Sequence, residues 1–422
     1  MKQKKLFSRV LISKDFGLLW IGQAVSIFGN FFMFLALPIM TYNITGSTIT
    51  LGITISLQAI PAIIAGPFAG ALVDRWDRKK TMFISDIIRG LILIPIILVP
   101  ESSRLYTIYA VSFFLSLVGV FFEPAFGAAI PKIAGKDNVL KANSLMQTTV
   151  SIVKILAPLA GAAVLSTAGL TALIAVDIIS FAASALTIIL IRANMKVESQ
   201  GIISFSTIVT DIKDGVRYIM KRKTVRTVLI AFMFLAFFEG IIEVLMLPYI
   251  KDILKAGEQG FGYAIAVQGA GQILGSVIIS MLGKKLSSEK LFILCFGSLA
   301  LLTIPFVNFN SFAAVLPVLF VIGISVVGLF ISVNTIIQST VEDKFMGRVQ
   351  NSLGILFQVG MLTTTLLAGT LSQIYGIKLI LNIGAGIEVA GAVIVVIMLK
   401  EKLKIKKTTV EGEHYDEQQI PV

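Results

Sequence analysis

The chain is predicted to be an all-α membrane protein with twelve transmembrane helices in two six-helix, pseudo-symmetric halves. Three observations predict it. Hydrophobic residues make up 56% of the 422-residue sequence and charged residues only 14%, with mean hydropathy +0.91, whereas a soluble domain carries roughly 25% charged residues. Apolar runs of 20 or more residues recur from end to end. Each can cross ~30 Å of hydrocarbon as a helix, the form that satisfies its own backbone without water. The Lys and Arg residues avoid these runs and collect in alternate connections.

The spans are placed, in order, at 16–40, 47–73, 80–99, 104–126, 143–165, 170–191, 226–249, 259–282, 288–308, 312–333, 348–372 and 378–399. The first run has no small-residue cleavage site after it and reads as a span, not a signal peptide. Pro38, Pro61, Pro95, Pro158, Pro248 and Pro317 fall inside or at the ends of the runs, where neighbouring helices can re-satisfy the freed carbonyls. Glycine-rich stretches such as 65–70 and 269–271 favour close helix approach.

Positive charge orients the bundle. Of the 36 Lys and Arg residues, 30 fall in the N-terminus, the even-to-odd connections and the C-terminus, and four fall on the other side (Arg104, Lys251, Lys255 and Lys378). Both termini are therefore expected in the cytoplasm of a multi-pass plasma-membrane protein. The net charge of +12 is a topology signal and calls for no nucleic-acid partner. Lys141-Ala142-Asn143-Ser144-Leu145 before span 5 is echoed by Val349-Gln350-Asn351-Ser352-Leu353 at the start of span 11, and Gly161 and Gly369 share that 208-residue offset. This indicates parallel repeats about an axis along the membrane normal. The expected organisation is a cytoplasmic N-terminus (1–15), a first half (16–192), a linker (193–225), a second half (226–400) and a polar tail (401–422) expected to be disordered. In the linker, Ile208, Ile212, Val216 and Ile219 form one stripe, the pattern of an amphipathic helix on the membrane surface.

One cysteine, Cys295, excludes an intramolecular disulfide. One histidine, His414 in the tail, excludes a histidine metal cluster or proton relay within the membrane. No metal, no cofactor and no enzyme activity are expected, since no nucleophile–base constellation or phosphate-binding loop is present.

The most informative turn is Gly70-Ala71-Leu72-Val73-Asp74-Arg75-Trp76-Asp77-Arg78-Lys79-Lys80, a short charged link between two apolar runs. It resembles the loop G-x-x-x-D-R-x-G-R-K between spans 2 and 3 of the major facilitator superfamily, with Asp77 where most members have glycine. The D-R-x-D-R-K form, Gly22-Gln23-Ala24-Val25-Ser26, Thr45-Gly46-Ser47, Pro61 with Gly66-Pro67, Ala142-Asn143-Ser144 and Gly347-Arg348-Val349 together resemble the macrolide-efflux-like branch over about 10–400. The resemblance implies a drug:proton antiporter of the superfamily fold. It further implies that Asp74 closes the cytoplasmic side against Gly347 and Arg348 at the start of span 11. There the dipole and free N–H groups favour an anion. Arg75 and Arg78 are expected to pair with acids at the ends of spans 3 and 4. Two departures bear on the proton mechanism. No base occurs in 105–126, and span 5 reads Ala157-Pro158-Leu159-Ala160-Gly161, an approximation of the antiporter G-P-x-x-G.

Eight ionisable residues fall within spans: Asp86, Arg89, Glu123, Lys154, Asp177, Glu239, Glu243 and Glu388. Each costs ~2.5 kcal/mol or more at the bilayer centre, so each should face the interior, pair or titrate. Asp86 and Arg89 are spaced for an i,i+3 ion pair, serving either the gate or coupling, and Glu123 is expected to join them. The conformational gate set is thus Gly70, Asp74, Arg75, Asp77, Arg78, Lys79, Asp86, Arg89, Glu123, Gly347 and Arg348. Lys154 on span 5 has Asp177 on span 6 as its expected carboxylate partner. Glu239 and Glu243 lie one turn apart on span 7 and project to one side, a spacing suited to proton coupling; solvation of Glu243 near the outer surface is the plainer reading. Glu388 is expected at the periphery. Gln23, Asn30, Gln268 and Asn334 complete the expected substrate cavity, and phenylalanines of spans 1 and 7 supply aromatic surface.

The sequence therefore predicts a secondary transporter, monomeric, with a small-molecule substrate, protons and the lipid bilayer as partners. Export of amphipathic molecules of macrolide type by alternating access and proton antiport is the leading reading. Export of an endogenous product such as a siderophore, peptide or lipid, or a non-transporting scaffold or sensor, are the alternatives.

Overall fold

A computed structural model describes residues 12–193, 195, 205–283 and 285–416, and among these there are helices and no strand. Eleven helices are long and apolar enough to cross a membrane. One of them, Val139–Leu190, is 52 residues long, or ~78 Å at 1.5 Å per residue, far more than a single crossing. It breaks at Gly169, where φ is 78° and ψ −178°, a conformation open to glycine. Span 1 shows that the two arms are antiparallel. Its inner region touches both Thr149 (from Trp20) and Thr187 (from Gly22), and further along it touches both Gly161 and Asp177. The arms are spans 5 and 6, and the chain makes twelve crossings.

The helices are Lys14–Thr45 (span 1), Thr48–Val73 (span 2), Arg78–Leu98 (span 3), Glu101–Ala134 (span 4), Val139–Leu190 (spans 5 and 6), Phe205–Lys221 (linker helix), Lys223–Pro248 (span 7), Gly257–Leu282 (span 8), Ser288–Asn308 (span 9), Phe312–Thr340 (span 10), Asp343–Tyr375 (span 11) and Ile377–Asp416 (span 12). Most extend beyond the apolar runs, because a helix continues through polar caps after the hydrocarbon ends. Ser13, Ser47, Asp77 and Ser287 accept backbone N–H bonds at the starts of spans 1, 2, 3 and 9. Gly46, at φ 59°, turns span 1 into span 2. Span 12 runs on through 401–416, where a disordered tail was expected; that stretch contains no proline. Residues 1–11, 194, 196–204 and 417–422 of the expected termini and linker lie outside the described residues. The linker helix does not simply lie on a membrane surface. It packs on span 11, with Gly215 against the Arg348 carbonyl and the Tyr218 ring 4.7 Å from Phe345.

Spans 1–6 pack among themselves, as do spans 7–12, and the halves meet chiefly along two pairs, span 2 with span 11 and span 5 with span 8. Both contacts sit toward the end of the bundle opposite the chain termini. A Cβ on Gly369 would lie 2.7 Å from the Thr48 carbonyl, and one on Gly262 2.8 Å from the Ala162 methyl. Further toward the terminal end the same helices separate: Gly66 and Gly70 of span 2, and Gly347 and Gly354 of span 11, have nothing within 4 Å of a Cβ position. The result is a V whose mouth is a cleft of about 670 Å³ between span 2, the linker helix and span 11.

Gly369→Val should therefore destabilise the protein by ~1–3 kcal/mol through overpacking. Gly354→Val on the open stretch of the same helix should stay within ~0.5 kcal/mol. Thermal unfolding of the two purified variants in detergent checks the contrast.

Candidate functional site

At the mouth of the V stands the charged turn after span 2. Val73 and Met82 are buried beneath it. Asp77 accepts the Lys80 N–H at 3.0 Å and so caps the start of span 3, which a glycine, having no side chain, could not do. Arg78 donates to the Ala128 carbonyl at 2.9 Å, and Lys79 donates to the carbonyls of Ile189 and Ile191. These bases therefore close the ends of spans 4 and 6 through carbonyls, not through the acids that were expected to pair with Arg78.

The expected gate contact is not made. Asp74 is exposed and its carboxylate has no partner among the described residues. Gly70 faces Gly347 and Arg348 only across the cleft. Arg348 instead reaches Asp214 of the linker helix at 3.5 Å. The physical reason is the splay of spans 2 and 11 described above. Beside this site, Glu342 accepts from Lys344 at 3.0 Å and Arg222 at 3.1 Å. The Lys344 ammonium, then Arg222, holds its carboxyl below the ordinary carboxylate range.

Asp86, Arg89 and Glu123 were expected in the gate, and the structure moves them inward. Span 3 starts at Arg78 and span 4 ends at Ala134, so Arg89 and Glu123 each lie ~16 Å along their helices from that end. Both line a cavity of about 660 Å³ in the first half, together with Gln23, Asn30, Phe31 and Phe34. Arg89 also borders an adjoining pocket of about 220 Å³ that holds Gln58, Ser112 and Ser116. The Glu123 carboxylate accepts no hydrogen bond among the described residues and is exposed in this wall.

Arg89 is 6% exposed and is bound to Asp86 in the expected i,i+3 ion pair. Its guanidinium lies between two rings, 4.3 Å from the Phe122 centroid and 4.6 Å from that of Phe181. Asp177 is fully buried, within electrostatic reach of Arg89 and Asp86, and accepts the Ser180 hydroxyl at 2.9 Å. Its second oxygen is buried with no partner. Only glycine at position 29 leaves room for this carboxyl, since a Cβ there would lie 2.3 Å from Asp177 Oδ1. Gln23 donates to Ser184 at 3.2 Å beside the same cluster.

The expected Lys154–Asp177 pair does not form. Lys154 is exposed, with its backbone at the Gly269 crossing to span 8, and has no carboxylate partner among the described residues. Asp177 faces span 1 instead. Glu239 and Glu243 do share one stripe of span 7, half-buried, below Phe232, whose ring packs on Phe330 and Phe357. Glu388 is not peripheral. It is fully buried, accepts the Thr303 hydroxyl at 2.7 Å, and lies within electrostatic reach of Glu239. The Gln268 backbone carbonyl packs on Gly323 of span 10, and Asn334 is exposed and donates to the Phe330 carbonyl. Neither is among the residues lining the first-half cavity. Phe32 is buried core, and Phe234 and Phe238 pack on Gly391 and Gly384 of span 12.

A latch at the opposite end escaped sequence reasoning. Tyr42 donates to Asp252, Asn43 donates to Glu258 at 2.8 Å, and Lys251 bridges Asn43 and Glu258. Thr48 donates to the Gly369 carbonyl at 2.8 Å and, through its backbone N–H, to Gln373 at 3.1 Å. The partners that join the two halves here are separated by 208 or more residues and leave no local signal.

With this geometry in view, comparison with known proteins is informative. A family model described as transmembrane secretion effector matches residues 10–421. The uncharacterized MFS-type transporter YfiS of Bacillus subtilis is 24% identical over 85% of this chain and 87% of its own length. Macrolide efflux protein A of Streptococcus pyogenes is 30% identical over 41% of this chain and 44% of its own. The proposed bacilysin exporter BacE of Bacillus subtilis is 24% identical over 87% and 90%. The fold matches the nucleoside transporter NupG with TM-score 0.74 at 16% identity, over 92% of this chain and 100% of that one. It matches a bacterial ferroportin homologue in its inward-facing state with TM-score 0.75 at 12% identity, over 91% and 98%.

Because Arg89 and Asp86 are both buried, Asp86→Asn should cost ~3 kcal/mol by leaving the guanidinium uncompensated. Asp86→Asn with Arg89→Gln should recover part of that loss. Thermal unfolding of the single and double variants measures the difference.

Proposed function

Since the chain belongs to the transmembrane secretion effector family of the major facilitator superfamily, we propose that it exports amphipathic small molecules across the plasma membrane by alternating access, driven by protons. It is a membrane transporter, and the finer reading rests on one observation above all. The halves touch at one end, through backbone contacts and a polar latch, and splay at the other around a cavity. The excess of basic residues at the splayed end orients that end to the cytoplasm, so this form accepts a solute from inside. Closure there would bring Asp74 to the start of span 11, and opening at the latch would release the solute outside.

The wall supports an amphipathic solute of macrolide type. Phe31, Phe34 and Phe126 offer apolar surface, while Gln23, Asn30 and Glu123 offer fixed polar contacts. Charge counting supports proton coupling. Asp86 and Asp177 share one guanidinium, so a proton on Asp177 makes the cluster neutral, and losing it leaves one buried negative charge. Glu239, Glu243 and Glu388 form a parallel set in the second half, and Lys154 stands at the crossing of spans 5 and 8. The whole-length likeness to BacE favours a second reading within the same mechanism, export of an endogenous peptide-like product.

Pump-deficient bacteria expressing the protein should accumulate less labelled macrolide, and a protonophore should abolish the difference. Unchanged accumulation, with the protein verified in the membrane, removes macrolides and moves the reading to an endogenous product. The latch is tested separately. With Cys295→Ser and Asn30→Cys as the single thiol, Tyr42→Phe plus Asp252→Asn should raise labelling by a membrane-impermeant reagent from outside several-fold. No rise would refute the latch.

A further inference from the structure

The four bases of the turn after span 2 divide between two sides of the bundle. Arg78 and Lys79 point inward and are engaged by carbonyls at the ends of spans 4 and 6. Arg75 and Lys80 lie on the other side, where they line the mouth of a groove of about 660 Å³ between spans 3 and 4. Lys80 is exposed and has no side-chain partner among the described residues. The one acid at the mouth, Asp77, is committed to capping span 3.

Below the mouth the groove is apolar. Ile84 and Ile88 of span 3 form one wall, and Val118 and Phe121 of span 4 the other. Trp76 closes the upper side, its ring 5.7 Å from that of Phe121. Trp76, Ile84 and Ile88 are 44%, 51% and 39% exposed. Large apolar side chains on the outside of a membrane bundle meet acyl chains, and an indole at their upper edge marks the headgroup level. Basic side chains at that level attract anionic headgroups. Length, direction and charge thus match a single kind of occupant, with the phosphate at the two bases and a chain descending between the spans.

We propose that the groove formed by Arg75, Trp76, Lys80, Ile84, Val118 and Phe121 binds an anionic phospholipid from the leaflet at the terminal end of the bundle. The lipid would seat on the outer side of the same turn whose inner side holds spans 4 and 6.

The protein supplies its own reporter, because it has two tryptophans and Trp20 donates to Thr149 inside the bundle. Full-length protein with Trp20→Phe, leaving Trp76 alone, would be reconstituted in phosphatidylcholine vesicles. These would contain equal fractions of chain-brominated phosphatidylglycerol or chain-brominated phosphatidylcholine. Brominated phosphatidylglycerol should quench Trp76 at least twofold more strongly. Lys80→Glu, and more mildly Lys80→Gln, should remove the difference. Equal quenching by the two lipids in the Trp20→Phe protein would overturn the proposal, since the groove would then hold only bulk lipid. A headgroup preference that survives both Lys80 variants would overturn the assignment to these residues.

Discussion

The two halves are joined where backbone meets backbone at glycine, span 2 against span 11 and span 5 against span 8. In hydrocarbon there is no hydrophobic drive to bring one apolar helix to another, so association depends on close packing and interhelical hydrogen bonds. Gly52, Gly262 and Gly369 supply the closeness, and the Thr48 hydroxyl on the Gly369 carbonyl supplies a bond. Because the tightest of these contacts lie toward one end, the helices diverge toward the other. The cleft, the separation of Asp74 from Arg348 and the docking of the linker helix on span 11 all follow from that divergence.

The buried charges obey a second constraint, the cost of removing an ion from water. Arg89 is tolerated because Asp86 neutralises it and two phenylalanine faces cover it. Asp177 is the carboxyl left over from that pairing, held in place by Ser180 and by the missing side chain of Gly29. The second half repeats the theme without a cation, Glu388 being bound by Thr303 and close to Glu239. A single element, span 3, connects these effects: it begins at the capped turn and carries Asp86 and Arg89 down to the cavity.

The signature turn is better understood as a junction than as a single gate contact. Its inward bases bind carbonyls toward the ends of spans 4 and 6, the Asp77 carboxylate caps span 3, and its outward bases line the groove between spans 3 and 4. Three of the six charged side chains in so short a link, Asp77, Arg78 and Lys79, are used for helix ends, in keeping with the many unsatisfied carbonyls and N–H groups that the spans expose at one surface.

Much was legible in the sequence alone, because hydrophobic length, charge asymmetry and the 208-residue repeat are one-dimensional signals. They determined the all-helical membrane class, the crossings, the repeat and the family. Local spacing also determined the Asp86–Arg89 pair and the shared stripe of Glu239 and Glu243, since helix periodicity places residues three or four apart together. Everything that depended on partners from distant spans was decided by the tertiary structure. Lys154 and Asp177 are near in sequence but face different neighbours, Glu123 and Arg89 sit deeper than run lengths suggested, and Glu388 is core. The Tyr42–Asp252 latch and the open state of the Asp74 site follow from how two rigid halves tilt, and the angle between two packed bodies has no signature in either helix's own sequence.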